Sequence, residues 1–301
     1  MHEFGAQLAN GLALGAIYAL IALGYTMVYG IVELINFAHG DVYTFGSFIT
    51  LVILTALGIT GEAHGVLLVV AVVVALLGSA LACGVLAILI ERVAYRPLRN
   101  APRLAPLITA IGVSFILENA LQLWKGPAPI TVPALIPNPR FLGGTFSLAQ
   151  VSVIVLAVVT MFALQFLVHR TRLGMQMRAV AQDRDAAALV GIDANRTIAL
   201  TFLLAGALAG IAGMASGVYY QSTWFLNGFG AGLKSFTAAV LGGIGNIAGA
   251  MLGGFCIGLL EAFTSATIGG QWANVAVFTV LIAVLVIRPN GLLGTNLPDK
   301  L

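Results

Sequence analysis

The apolar residues of this chain are gathered into long runs that are separated by short polar segments. Eight runs approach or exceed the roughly 20 residues that an α-helix needs to cross the hydrocarbon core of a bilayer. They cover residues 5–29, 41–57, 65–90, 104–124, 149–168, 197–219, 247–265 and 272–287. The pattern predicts an all-α integral membrane protein, a polytopic bundle forming one transmembrane domain over residues 1–301.

A ninth apolar stretch, residues 222–243, is interrupted by Gly228, Gly230, Gly232 and Lys234. We interpret it as a broken span, because unwound backbone is tolerated at membrane depth only where protein or a water-filled cavity shields it. Counting this stretch gives nine crossings and an external amino terminus. If residues 31–39 also cross as a half-helix, the count becomes ten and the amino terminus is internal. The expected bundle thus has about 8–10 helices, some of them broken or re-entrant.

Composition excludes a soluble protein. The chain is 60% hydrophobic and 8% charged, with a mean hydropathy of +1.03, whereas soluble domains carry about 25% charged residues. The net charge of +3 is small, and the arginines lie in short loops without interleaved aromatic residues, so nucleic acid is not an expected partner. Cys83 and Cys256 fall inside apolar runs, where packed side chains are expected rather than a disulfide or metal ligands.

The arginines predict the orientation of the bundle. They crowd the segments 92–103 and 170–196, whereas the segment 58–64 has neither Lys nor Arg. Short loops rich in Lys and Arg face the cytoplasm. We therefore expect a cytoplasmic loop at residues 169–196 and an extended external loop at the proline-rich residues 125–147.

A polar segment, residues 30–41, lies between the first two spans and includes Asn36, His39, Gly40 and Asp41. One interpretation is a gate or substrate contact. The other is a capped cytoplasmic turn, in which Asn36 or Asp41 caps the helix that follows. A metal site at His39 and Asp41 is not expected, because no other ligands converge there.

Ionisable residues inside apolar runs are further functional candidates, since a charge buried in lipid is costly and is a functional candidate by default. They are Glu118, Lys234 and Glu261. The alternative is that the two carboxylates lie near helix ends and reach the headgroups, while Lys234 snorkels outward. Glycines spaced four residues apart predict close helix packing and do not indicate a function.

The loop at residues 169–196 contains a predicted short helix, residues 178–189, which is rich in good helix formers and stops before Gly191. We interpret it as a small-residue helix that fits the cleft of a partner; an amphipathic linker is the alternative. The sequence has no phosphate-binding loop, no paired-histidine zinc helix and no Gly-x-Ser-x-Gly motif. If the chain transports a solute, the energy must therefore come from a partner or an ion gradient.

Five segments together resemble the LivH-type permeases of bacterial branched-chain amino acid ABC importers. They are residues 16–30, 35–41 (Ile-Asn-Phe-Ala-His-Gly-Asp), 178–191, 234–245 and 288–294, and they extend over nearly the whole chain. The sequence Asp-Ala-Ala-Ala-Leu-Val-Gly at residues 185–191 is similar to the Glu-Ala-Ala-x-x-x-Gly loop of importers, with Asp in place of Glu. The longer pattern of that loop, ending in Ile-x-Leu-Pro, is missing here.

The resemblance implies a permease subunit in the bacterial inner membrane. It implies a homologous LivM-like second permease, two cytoplasmic ATPase subunits and a periplasmic amino-acid-binding protein as partners. This chain would bind no cofactor, since ATP and Mg are used by the ATPases. We expect ATPase coupling at Arg178, Gln182, Asp183, Arg184, Asp185, Ala186, Ala187 and Gly191. The candidates for the path or gate are Asn36, His39, Gly40, Asp41, Glu118, Lys234, Gly242, Gly243 and Gly245.

Other functions stay open at this point. Within the same family, urea, short amides or other amino acids are alternative substrates. A stand-alone secondary transporter would need a buried carboxylate for ion coupling, and Glu118 or Glu261 could serve. An intramembrane enzyme is the third alternative, although the sequence offers no nucleophile–base pair for it.

Overall fold

The computed structural model describes residues 2–99, 101–102, 104–137, 139–141 and 145–294. Within them the chain forms the helices α1 (His2–Val32), α2 (His39–Ala56), α3 (Gly65–Ile90), α4 (Leu104–Lys125), α5 (Leu148–Arg170), α6 (Arg172–Gln182), α7 (Arg184–Leu189), α8 (Ala194–Tyr220), α9 (Asn227–Gly242), α10 (Ile247–Thr267) and α11 (Ala273–Ile287). A π-turn at Glu91–Tyr95 and a 3₁₀ turn at Arg96–Leu98 extend α3, and a 3₁₀ turn at Gly270–Trp272 precedes α11.

Seven of these helices are long and apolar enough to cross a membrane: α1, α3, α4, α5, α8, α10 and α11. The other two apolar helices, α2 and α9, have 18 and 16 residues. At 1.5 Å per residue they measure about 27 and 24 Å, short of the hydrocarbon core of about 30 Å. The predicted all-α polytopic architecture is confirmed, and the chain is a multi-pass membrane protein.

The predicted broken span at residues 222–243 is wrong. The strand β4 (Ser222–Thr223) opens this stretch, and α9 then runs without interruption from Asn227 to Gly242, through all the glycines. Isolated glycines weaken a helix by about 1 kcal/mol each. Here Gly228 and Gly232 face Gly40 on α2 so closely that an added Cβ would meet its backbone. The packing against α2 therefore explains both the glycines and the intact helix.

Residues 31–39 do not form a tenth crossing. Helix α1 continues to Val32, residues 33–38 are non-helical, and α2 starts at His39. Glu33, whose φ is +57°, turns the chain back. With α2 and α9 added to the seven membrane-length helices, the described chain has nine apolar helices, and the number that cross the membrane stays a prediction.

Contacts between loops define two sides of the bundle. On one side Gly5 of α1 lies against Thr145, and β1 (Ile130–Thr131) pairs antiparallel with β4. On the other side, which carries the arginine-rich loops, Arg99 donates a hydrogen bond to Asn195 (2.5 Å). The amino terminus of α1 therefore lies opposite the arginine-rich side.

The proline-rich loop is packed against the bundle. At the start of this loop, the Pro127 carbonyl accepts a hydrogen bond from the Trp224 indole (2.8 Å). Val132 and Leu135 are fully buried in an apolar cluster with the outer ends of α2, α3 and α8. A second strand pair, β2 (Arg140–Phe141) with β3 (Phe146–Ser147), leads into α5. The loop thus covers the outer ends of these helices.

Helices α1 and α8 form the centre of the bundle, and α3, α5 and α11 are mostly exposed. Small residues permit the closest crossings, as the glycine spacing predicted: Gly15 meets Gly258 between α1 and α10, and Gly46 meets Gly210 between α2 and α8. The exposed face of the outer helices is rich in Val and Leu. Such a face suits contact with lipid.

Candidate functional site

The amino-terminal end of α2 lies inside the bundle rather than at its surface. The His39 ring contacts the Tyr25 ring (centroids 4.8 Å apart) and lies against Gly24 of α1. Seven residues, or about 10 Å of helix, separate Tyr25 from the end of α1. The short connection thus returns the chain into the membrane before α2 begins. A helix that starts at this depth presents its positive dipole end to the interior.

The predicted side-chain cap of α2 is wrong. Ala38 occupies the cap position, and no side chain of the described residues caps the helix there. The Asn36 side chain instead accepts a hydrogen bond from the Tyr95 hydroxyl (2.7 Å), and its backbone carbonyl accepts one from the His39 N–H (3.0 Å). Asn36 therefore fastens the connection to the end of α3, where the π-turn carries Tyr95.

Asp41 is buried in the first turn of α2, with 1% of its surface exposed. Its Oδ2 accepts a hydrogen bond from the Ser114 hydroxyl of α4 (2.5 Å). Its Oδ1 and the Nε2 of His39 have no hydrogen-bond partner among the described residues. Buried polar atoms without partners are uncommon and need an explanation.

A cavity of about 240 Å³ lies beside this turn, between α4 and α9. Its lining residues are Tyr25, Phe37, Ile111, Ser114, Phe115, Gly228, Phe229, Gly232 and Leu233. Ser114 is near the middle of the 22-residue α4, so the cavity is about halfway through the bundle. An apolar pocket with a few polar groups is the usual form of a small-molecule site. None of the predicted path residues lines this cavity. Gly40 lies behind its wall, against Gly228 and Gly232, and Asp41 is connected to it through the hydrogen bond from Ser114.

Glu118 also lies beside the cavity. It follows Ile111, Ser114 and Phe115 by seven, four and three residues on α4, and these spacings place all four on one helix face. Its side chain is 7% exposed. Glu118 lies one helical turn from Ser114, whose hydroxyl donates to Asp41, so the two carboxylates are neighbours and like charges on them would repel. Among the described residues no Lys, Arg or His forms an ion pair with either carboxylate. The site therefore holds two acidic groups and no cation.

Lys234 and Glu261 do not line this cavity and do not reach for the headgroups. They form an ion pair with each other, with the Lys234 Nζ 2.6 Å from the Glu261 Oε1. The other carboxylate oxygen of Glu261 accepts a hydrogen bond from the Tyr18 hydroxyl (2.8 Å). The alternative that Lys234 snorkels outward is therefore wrong, and the pair connects α9, α10 and α1.

The structure also places Gly242, Gly243 and Gly245 away from the cavity. They form the turn between α9 and α10, in which Gly243 has φ +106° and Gly245 has φ +92°. The backbone N–H groups of Leu292 and Leu293 donate to the carbonyls of Leu241 and Gly242 (2.8 and 2.9 Å). The segment after α11 therefore secures this turn on the arginine-rich side.

The arginine-rich loop contains two helices where one, at residues 178–189, was predicted. Asp183 ends α6 and caps α7, because its Oδ1 accepts hydrogen bonds from the N–H groups of Asp185 (2.9 Å) and Ala186 (3.0 Å). Gly191, with φ +83°, ends the segment. We call residues 172–191 the loop helices. An aspartate cap is a local signal that the helix prediction overlooked.

One side of the loop helices packs on the bundle. Met177, Val180 and Ala187 are buried, and Arg178 donates a hydrogen bond to the Val168 carbonyl at the end of α5. The opposite side is exposed and contains the remaining predicted coupling residues Gln182, Asp183, Asp185, Ala186 and Gly191, with Arg184 half-buried. Leu189 is 89% exposed at the tip. This side is available to a partner, whereas Arg178 and Ala187 hold the helices in place.

Sequence reasoning missed Ser114, Tyr95 and the ion pair of Arg99 with Glu91. The signal for Ser114 was available, because Ser114 and Glu118 are the polar residues of one face of an apolar helix. Burial lowers the pKa of the Arg99 guanidinium, while the Glu91 carboxylate opposes that shift. This pair and the Asn195 contact connect the end of α3 to the start of α8.

Comparison with known proteins gives one consistent family. A family model described as "Branched-chain amino acid transport system / permease component" matches residues 7–286. The chain is 44% identical to the high-affinity branched-chain amino acid transport system permease protein BraD of Pseudomonas aeruginosa, over 100% of this chain and 99% of that protein. It is 43% identical to the corresponding permease protein LivH of Escherichia coli, over 98% of this chain and 96% of that protein. No solved structure matches the chain at a significant level.

Proposed function

Because the chain belongs to the family of branched-chain amino acid transport permeases, we propose that it forms half of the translocation path of an ATP-driven importer for these amino acids. The full-length similarity to BraD and LivH carries this proposal. The substrates are leucine, isoleucine or valine, and the membrane is the bacterial inner membrane. A homologous second permease forms the other half of the path.

The cavity between α4 and α9 supports this function by its chemistry. It has room for about eight groups of the size of water, at roughly 30 Å³ each, which is close to the number of non-hydrogen atoms in valine or leucine. Ile111, Phe115 and Leu233 supply an apolar wall. Selectivity resides mainly in the periplasmic binding protein, so the path itself needs only weak binding.

The loop helices support coupling to a cytoplasmic ATPase. Their exposed side has small residues, and their buried side is fixed to α5 and the rest of the bundle. A displacement of the loop helices by an ATPase is therefore transmitted to the membrane-spanning helices. The chain itself is non-catalytic and binds no cofactor in this proposal; ATP and Mg act in two partner subunits.

Reconstitution tests the proposal. The complex that co-purifies with the tagged chain is placed in liposomes loaded with ATP and Mg, with the binding protein and radiolabelled leucine outside. We expect ATP-dependent uptake of leucine, isoleucine and valine, and none when a non-hydrolysable ATP analogue replaces ATP. Accumulation by the purified chain alone, driven by a proton or sodium gradient, would instead establish a secondary transporter.

A further inference from the structure

The acidic site beside the cavity has two carboxylates and, among the described residues, no positively charged group paired with them. Asp41 is 1% exposed, its Oδ1 has no partner among the described residues, and Glu118 lies one helical turn from the Ser114 that holds Asp41. Removing one carboxylate from water costs several kcal/mol even after relaxation. A second carboxylate at short range adds repulsion instead of compensation. The arrangement therefore favours a bound cation.

The surrounding groups define which kind of cation fits. The Ser114 hydroxyl holds one oxygen of Asp41 and leaves the other free. The amino-terminal end of α2 offsets part of the cost of burying the charge on Asp41, because the helix dipole stabilises an anion in the first turn. The adjoining cavity wall is apolar, with Ile111, Phe115 and Phe229. An apolar wall gives no favourable contact to a hydrated metal ion. It does pack favourably against an aliphatic side chain that carries an ammonium group.

We propose that Asp41 and Glu118 bind the α-ammonium group of the transported amino acid, while its aliphatic side chain occupies the cavity between α4 and α9. This inference rests on the proposed function and names the residues that recognise the amino group. Ser114 positions Asp41 for this contact. The free Oδ1 of Asp41 and the carboxylate of Glu118 accept the N–H donors of the ammonium group.

The site also accounts for two structural features. Gly228 and Gly232 permit α9 to approach Gly40, which brings the cavity to within reach of the first turn of α2. The short length of α2 places that turn inside the bundle rather than at its surface. Both features bring an acidic group to a depth at which a substrate midway through the membrane can meet it.

Uptake by the complete complex tests the proposal in variants. Asp41→Asn and Glu118→Gln each keep the size of the side chain and remove the charge. A hydrogen bond to a charged group is worth about 10-fold to 100-fold in binding, so we expect leucine uptake at low substrate concentration to fall by about tenfold or more. Glu62→Gln, a matched change in the exposed outer segment, leaves uptake unchanged. Size-exclusion chromatography checks that each variant assembles.

Chemical labelling of the unaltered complex supplies a second test that does not depend on folding of a variant. A hydrophobic carbodiimide reacts with membrane-embedded carboxyl groups, and mass spectrometry of the peptides identifies Asp41, Glu118 and Glu261. We expect leucine to protect Asp41 and Glu118 by at least twofold. We expect 4-methylpentanoate, which has the same side chain without the amino group, to protect neither. Labelling of Glu261, which is paired with Lys234, stays the same.

The outcomes separate the two proposals. If the unaltered complex takes up leucine and both charge-removing variants do so equally well, the ammonium site is refuted and the importer function stands. The same holds if 4-methylpentanoate protects as well as leucine, or if sodium alone protects and leucine does not. If the unaltered complex takes up none of the branched-chain amino acids, the proposed function itself fails.

Discussion

The ion pair between Lys234 and Glu261 offers a quantitative test of the packing of α1, α9 and α10. The two charged atoms are 2.6 Å apart, and each side chain is 15% exposed. With an effective dielectric constant of about 20, their attraction is about 6 kcal/mol. Desolvation offsets much of this gain, but removal of one partner leaves an uncompensated charge, which costs about 3–5 kcal/mol.

Lys234→Met is therefore expected to lower the free energy of unfolding by about 3 kcal/mol, at the low end of that range because the pair is partly exposed. In the double variant Lys234→Met/Glu261→Gln no charge remains. The amide oxygen can still accept the hydrogen bond that the Tyr18 hydroxyl donates. We expect the double variant to regain at least half of the loss, a coupling energy of about 1.5 kcal/mol or more.

Equilibrium unfolding in mixed micelles of a mild detergent and dodecyl sulfate, followed by circular dichroism, measures these free energies. Lys125→Met provides the control, since Lys125 lies over the Trp124 ring at the outer end of α4 and its loss should cost about 1 kcal/mol or less. If the double variant is no more stable than Lys234→Met, the two charges are not coupled and the reasoning is refuted.

Two further predictions concern α9 and the loop helices. Gly228→Ala should lower the free energy of unfolding by about 1–3 kcal/mol, because the new Cβ would meet the backbone of α2, whereas Gly230→Ala has open space and should be neutral or slightly stabilising in the same unfolding assay. Arg184→Glu should lower transport-coupled ATP hydrolysis in reconstituted vesicles by about tenfold while membrane insertion is retained. Arg92→Glu, an exposed charge reversal on the other arginine-rich loop, should leave hydrolysis unchanged. Equal rates of hydrolysis in both variants would contradict the role assigned to Arg184.

Much of the architecture could be predicted from local sequence. Each apolar run of sufficient length must be a helix in lipid, since no other single segment satisfies its own backbone hydrogen bonds there. The loops at residues 92–103 and 170–196 share one side of the structure, as their arginines indicated, and the Arg99–Asn195 contact joins them. The glycine spacing in α1 and α8 predicted close packing, and the crossings at Gly15 and Gly210 confirm it.

What could not be predicted depends on contacts between distant parts of the chain. Whether the glycines of α9 break the helix is decided by Gly40, nearly two hundred residues earlier in the sequence. The partner of Lys234 is on a different helix, so its apolar neighbours in the sequence wrongly suggested an outward-reaching side chain. The depth at which α2 starts follows from the backward turn at Glu33, which no apolar pattern indicates.

The residues of the candidate site were only partly predictable, because some stand out in the local sequence and others depend on contacts between distant helices. Glu118 was identified because ionisable residues stand out in apolar runs, and Asp41 because it belongs to the polar segment between the first two spans. Ser114 was missed although it shares a polar face of α4 with Glu118, and its hydrogen bond to Asp41 depends on a contact with a distant helix that the sequence does not contain. The cavity itself exists only through the separation of α4 from α9, and a single sequence does not contain that distance.

The central claim is that the loop helices face a cytoplasmic ATPase. The most direct test is the accessibility of the carboxyl-terminal end of α7 to a chemical probe. Leu189, which is 89% exposed, is changed to Cys in a background in which Cys256 is replaced by Ala and the buried Cys83 is kept. The probe is a membrane-impermeant maleimide applied to spheroplasts of a bacterial host. We expect no labelling of Leu189→Cys until the spheroplasts are opened, and slower labelling when the ATPase subunits are co-expressed. Glu62→Cys, on the opposite side, should react without opening. Labelling of Leu189→Cys in closed spheroplasts would place the loop helices outside the cell, out of reach of any ATPase, and would contradict the account.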